Sequence, residues 1–392
     1  MSAILSPPSR LFDPLPNPEL KLFGPGPSNV HPRVAAAYSG SVLPPGHYLL
    51  NRLLLDVSAG LRYVFQTRNE HTFTVAGTGH AGMECALTNV VERGDRVMIG
   101  ENGLWGERAS KIAKRLGADL IPFQKPIGHV FELGEIESAL EKHRPAVLFL
   151  THGESTGGVV QPLEGVGRVC RKYNCLLIVD AVASLGGVPL FTDEWEIDVV
   201  YAGSQKVLSA PTGMAPITFG PRAWKKISER KTEPPTHYFN ADTLSKSAGI
   251  GGSFFYHATW PSHGLLALRE ALLILAEEGL ENSWKKHREV VEAFWEMGDK
   301  LGLKWFVSDK ALRLPTVTLV EVPPHVKDWK VMLQYLLDEY NIAVLGGLGP
   351  SVGKVWRVGL MGWNAKIENA RLVANALAKG IDYCSTEKGS QL

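Results

Sequence analysis

From about residue 70 to residue 220 the chain alternates apolar runs of strand length with amphipathic stretches of helical period, and that alternation leaves few folds open. Strand, helix, strand in succession joins parallel strands through a crossover, so the expected core is a mainly parallel sheet sandwiched by helices. "TFTVAGTG" leads into the helical "HAGMECALTNVVE", and "DRVMIG" leads into "WGERASKIAKRLG". The runs "AVLFLTHGE", "CLLIVDAVAS" and "DVVYAG" have the unbroken apolar character of strands covered on both faces.

At 392 residues the chain is longer than one core usually organises, which predicts a second unit. Residues 264 to 302 read as two helices meeting near Gly279, and the boundary is placed there. Beyond it short strands alternate with helical patterns again. The expected organisation is an extended N-terminal arm over residues 1–22, a large domain over 23–280 and a smaller C-terminal α/β domain over 281–392.

Composition narrows the partners. A net charge of +1 offers no basic surface for nucleic acid or an anionic bilayer. No apolar stretch approaches the roughly 18 to 20 residues of a membrane span. The four cysteines, Cys85, Cys170, Cys175 and Cys384, form no CxxC or zinc-like spacing, and are expected as free thiols of a reducing compartment.

In an open parallel sheet the ligand crevice lies at the carboxyl ends of the strands, so residues just after each strand form one candidate set. Thr78, Gly79 and His80 open a helix, where amides and the dipole hold a phosphate, or where the glycines serve only a tight turn. Asp180 ends an apolar strand, as a functional acid or as a cap. Lys206 follows "VVYAGSQ"; it is either a Schiff-base nucleophile or a solvent-facing side chain, and Gln205 beside it adds polar donors. Trp105 either stacks on a planar ligand or packs in the core, Ser155 donates to a ligand or caps a turn, and Arg357 grips a carboxylate or a structural partner. A phosphate-binding helix start, a stacking ring, an acid for a ring nitrogen and a Schiff-base lysine are the requirements of pyridoxal 5'-phosphate.

With these residues stand the motifs "GPGPSN", "YVFQTRN", "LFLTHGES", "LLIVDAVASLGG", "GSQKVL", "EEGLENSW", "RLPTVT" and "GGLGPSVGK". Taken in order they resemble, nearly end to end, the alanine:glyoxylate (serine:pyruvate) aminotransferases, class V members of the fold type I pyridoxal phosphate enzymes. The resemblance implies an aminotransferase moving the amino group of L-alanine to glyoxylate by a ping-pong mechanism. It implies Lys206 as the Schiff-base lysine, Asp180 on the pyridine nitrogen, and Trp105 and Val182 on the ring faces. Thr78, Gly79, His80, Ser155 and Gln205 would surround the cofactor and its phosphate. Tyr256 and Thr259 would reach that phosphate from the partner subunit of a homodimer, and Arg357, with Ser155, would bind the substrate. The arm would lie across the other subunit.

Departures from the family fall near the substrate side: Ala258 replaces a second histidine, Gly157 a threonine, and "SKSAGIGG" an aromatic segment. They keep serine:pyruvate and 3-hydroxykynurenine transamination open as alternatives, and with them a catalytically degenerate binding protein. A cysteine desulfurase would need a nucleophilic cysteine on a mobile loop, and none of the four is so placed. The tail Ser390-Gln391-Leu392 resembles an imperfect peroxisomal address, so an import receptor is an expected partner and the peroxisome the expected location, with cytosol as the alternative.

Overall fold

The computed structural model describes residues 4–252 and 254–385, so the Ser390-Gln391-Leu392 tail lies outside the described residues. Seven strands make the central sheet: β1 (His71–Ala76), β2 (Arg96–Glu101), β3 (Asp119–Gln124), β4 (Val147–Thr151), β5 (Leu176–Asp180), β6 (Val199–Tyr201) and β7 (Met214–Phe219). Their spatial order is β1-β7-β6-β5-β4-β2-β3, and β7 alone runs antiparallel to its neighbours. Register aligns the strand ends: Thr151 pairs with Asp180, and Asp180 with Tyr201.

Successive side chains on a strand point to opposite faces, and here each face is buried. Leu148, Leu150, Leu177, Val179 and Val200 join one apolar cluster; their neighbours Val147, Phe149, Leu176, Ile178, Val199 and Tyr201 join another. This explains why these strands lack alternation in sequence. Helix α1 (Tyr48–Phe65) closes the first face, and α2 (Gly79–Val90) and α3 (Leu104–Arg115) pack on the second.

The long helical stretch divides as α4 (Ser262–Glu278) and α5 (Leu280–Lys300), with Gly279 at φ 82° as the shared joint. A left-handed φ suits a glycine and turns the chain between the two axes. Past it, β8 (Thr318–Glu321), β9 (Leu345–Gly346) and β10 (Val355–Val358) form an antiparallel sheet in the order β8-β10-β9, backed by α6 (Trp329–Tyr340) and α7 (Ile367–Cys384).

The N-terminal segment is tied to this C-terminal unit. Lys21 and Leu22 pair in parallel with Ile342 and Ala343, and Phe23, buried, packs in the cluster of Trp295, Trp356 and Leu377. Two-residue strands more than 300 positions apart leave no periodic signal, so the sequence does not place Phe23 with the C-terminal core. The described arm residues before it are almost all exposed, with one 3-10 turn at Ser9–Phe12. Among the described residues no helix is long and apolar enough to cross a membrane, and the four cysteines are free.

Candidate active site

Five strand ends converge on one cavity, lined by Thr78, Gly79, His80, Met83, Trp105, Gly153, Ser155, Asp180, Val182, Ala183, Gln205 and Lys206. Residues separated by more than 120 positions meet because β1, β2, β4, β5 and β6 all deliver their carboxyl ends to one edge. The cavity receives the cofactor side chains expected from a single chain.

Asp180 is held from two sides: Oδ1 accepts the Val182 amide at 2.8 Å and Oδ2 the Tyr201 hydroxyl at 2.7 Å. Burial pushes its carboxyl up to about 6, while the Tyr201 hydroxyl, the Val182 amide and the Lys206 charge pull the other way. The Tyr201 and Val182 donors and the nearby Lys206 charge thus favour its ionised form. Lys206 shows the converse: burial, reinforced by the Arg357 charge, lowers its amine to about 8, with Asp180 opposing. Lys206 Nζ donates to the Pro25 carbonyl in the "GPGPSN" loop.

Across the cavity, α2 begins at Gly79 with Thr78 as a cap whose hydroxyl bonds nothing in the helix. The amides of a first helical turn have no intrahelical acceptor and face outward with the positive dipole end. A Cβ at Gly79 would fall 2.9 Å from Val182 Cγ2, so only glycine lets the helix start approach the β5 loop this closely. Trp105 Nε1 donates to Ser155 Oγ at 3.0 Å, leaving the serine proton to turn toward a ligand. Arg108 Nη1 lies 2.7 Å from His80 Nε2, and since arginine only donates, that nitrogen accepts and the proton sits on Nδ1. Burial, then the Arg108 charge, keeps His80 below its usual value.

Arg357 lies outside the cavity wall, buried on β10, with Nε bonded to the Gly346 carbonyl at 2.8 Å. It makes no salt bridge among the described residues, and burial lowers it to about 10, with Glu154 opposing. Tyr256 and Thr259 do not line their own chain's cavity; they are exposed and bonded to each other at 2.8 Å.

Sequence reasoning missed several of these partners. Tyr201 and Pro25 act only through pairings across the fold. Glu154 did carry a signal, since it stands three residues past the apolar run Val147–Leu150 and its polar Thr151.

The cavity fits pyridoxal phosphate by its chemistry. It joins an acid, an amine of lowered pKa and an indole to a helix start, and Gln205 Oε1 is buried there without a hydrogen-bond partner. Fold and site define a fold type I pyridoxal phosphate enzyme. Residues 50–367 match the family "Aminotransferase class-V", and the chain belongs to that family, whose members use this cofactor.

The chain is 47% identical over 386 residues to an alanine–glyoxylate aminotransferase of Callithrix jacchus, covering 98% of this chain and 93% of that one. The solved alanine–glyoxylate aminotransferase of Nostoc sp. superposes with a TM-score of 0.92 at 44% identity, covering 96% and 100%. The ureidoglycine–glyoxylate aminotransferase of Bacillus subtilis superposes at 0.89 with 33% identity, covering 95% of each chain. A cysteine desulfurase of Thermococcus onnurineus, at 16% identity and 0.70, shares the fold alone.

Proposed function

We propose that this enzyme transfers the amino group of L-alanine to glyoxylate, giving pyruvate and glycine. Similarity over 98% of the chain to relatives carrying those substrates in their names supports the donor and acceptor. Lys206 and Asp180 sharing one cavity support the chemistry.

Pyridoxal phosphate, when bound, supplies an electrophilic carbon and an electron-withdrawing ring. The chain's own residues do the rest. Asp180, fixed by Tyr201 and Val182, would hold a proton on the ring nitrogen of a bound cofactor. Trp105 and Val182 would confine its flat ring, and Thr78 with the Gly79 and His80 amides would take the phosphate. Lys206 Nζ, lowered to about 8, holds and releases a proton near neutral pH, as removal and return of a substrate Cα proton requires. Arg357, charged and without an ion pair among the described residues, is the anchor for the substrate carboxylate, with Ser155 Oγ as a second donor.

A homodimer belongs to the same reading. Tyr256 and Thr259 are exposed beyond their own cavity, and Tyr38, Val42, Tyr48 and Leu55 expose apolar surface near the start of the chain.

The test is the visible absorbance of the protein loaded with pyridoxal phosphate. The band should be lost on adding L-alanine and return with glyoxylate. A band that ignores L-alanine but answers another amino acid moves the donor, and absence of any band refutes the role of Lys206.

A further inference from the structure

Glu154 is a fully buried carboxylate for which the reaction above has no use. Its Oε1 accepts the Thr156 amide at 2.7 Å and the Thr156 hydroxyl, while Oε2 is buried without a hydrogen-bond partner. Burial pushes its carboxyl up to about 7, with the Thr156 hydroxyl and amide and the nearby Trp105 amide pulling the other way, and an apolar residue would fill the space more cheaply. Its surroundings point to one task.

Helix α3 opens on Gly103, which has no side chain to cap it. The first turn's amides still need acceptors. Leu104 N–H donates to Thr156 Oγ1 at 3.0 Å. The single Thr156 hydroxyl proton is committed to Glu154, so its lone pairs are left for Leu104. A Cβ at residue 103 would land 2.1 Å from Glu154 Oε2 and 2.4 Å from Thr156 Oγ1, so the glycine is what admits the carboxylate to the helix start. The positive end of the helix dipole favours the ionised form of a carboxyl placed there. Between these two residues, Ser155 takes the Trp105 indole N–H at 3.0 Å. Three consecutive residues of one loop thus grip the first turn of the helix that carries the stacking ring.

We infer that Glu154 is a positioning residue of the cofactor site: it caps α3 from the neighbouring loop, by way of Thr156, and so holds Trp105 and Ser155 as one wall. This rests on the cofactor reading above. Its charge also acts on Arg357, tying the stacking wall to the proposed carboxylate anchor.

The experiment compares wild type, Glu154→Ala, Glu154→Gln and Thr156→Val, each titrated with pyridoxal phosphate. It reads the dissociation constant, the visible circular dichroism of bound cofactor, and the melting temperature without cofactor. Glu154→Ala should bind about tenfold more weakly and lose at least about half of the dichroism, because the ring's neighbour is no longer fixed. Glu154→Gln, which keeps an acceptor for Thr156, should recover most of both. If Glu154→Ala does not fold, Thr156→Val carries the test, with the same losses at smaller scale. Wild-type affinity and dichroism in the variants, with only the melting temperature lowered, would overturn the inference, as would a Glu154→Gln no better than the alanine variant. A wild type that binds no cofactor would instead refute the functional reading.

Discussion

Lys206 donates its amine to the carbonyl of Pro25, a residue 181 positions earlier in the chain. Gly26, beside it, has φ +106°, and a Cβ there would fall 2.4 Å from Lys206 Cδ and 2.6 Å from Nζ. The loop that follows the Lys21–Leu22 strand therefore closes over the Lys206 amine. Gly26→Ala should lower kcat/KM by about 100-fold or more, since a misplacement near 1 Å at the reacting group is enough for such a loss. Steady-state kinetics check this, and a variant within threefold of wild type would show that the loop does not set the lysine's position.

Among the described residues, Tyr201 is the one side chain hydrogen-bonded to Asp180. Tyr201→Phe removes a donor that favours the ionised carboxylate, so the Asp180 value should climb above its present value of about 6. The expected outcome is an acid limb of the kcat/KM profile moved to higher pH, with weaker cofactor binding. An unmoved limb would deny Asp180 that role.

Arg357→Lys keeps the charge but loses the planar fork. KM for both the amino acid and the 2-oxo acid should rise, and kcat/KM should fall about 10- to 100-fold, the scale of a charge-assisted hydrogen bond. Cofactor dichroism should be unchanged. Equal KM values would remove Arg357 from substrate binding.

His287, fully buried on α5, bonds the Ser283 carbonyl through Nδ1 at 2.7 Å and receives the Gly362 amide on Nε2 at 2.9 Å. The acceptor role requires a neutral ring with its proton on Nδ1. Burial lowers its value from 6.5 to about 4, the Lys286 charge adding and the Ser283 carbonyl opposing. Between these values the unfolded chain binds more protons than the folded one, so this contribution is intact above about 6.5 and lost as pH falls toward 4. From pH 7 to 5 the loss is about 2 kcal/mol. Denaturant unfolding of wild type and His287→Gln at the two pH values should show a shallower decline in the variant; parallel declines would contradict the neutral buried ring.

Much of this protein could be read from its residues alone. The strand-helix alternation defined a parallel sheet because buried strands need apolar residues on both faces, and the clusters on either side of Phe149 and Ile178 bear this out. A carboxylate ending such a strand marked Asp180 before any coordinates, and the motif set around it marked Lys206, which the structure places in the loop five residues past the strand end at Tyr201. Period and polarity are local properties, legible in a linear chain. What only the tertiary structure decided is non-local: Tyr201 reaching Asp180, Pro25 and Gly26 over Lys206, Phe23 inside the C-terminal core, and Glu154 capping a helix that starts on a glycine. Each depends on register and close approach between segments brought together by packing, and neither leaves a period in the sequence.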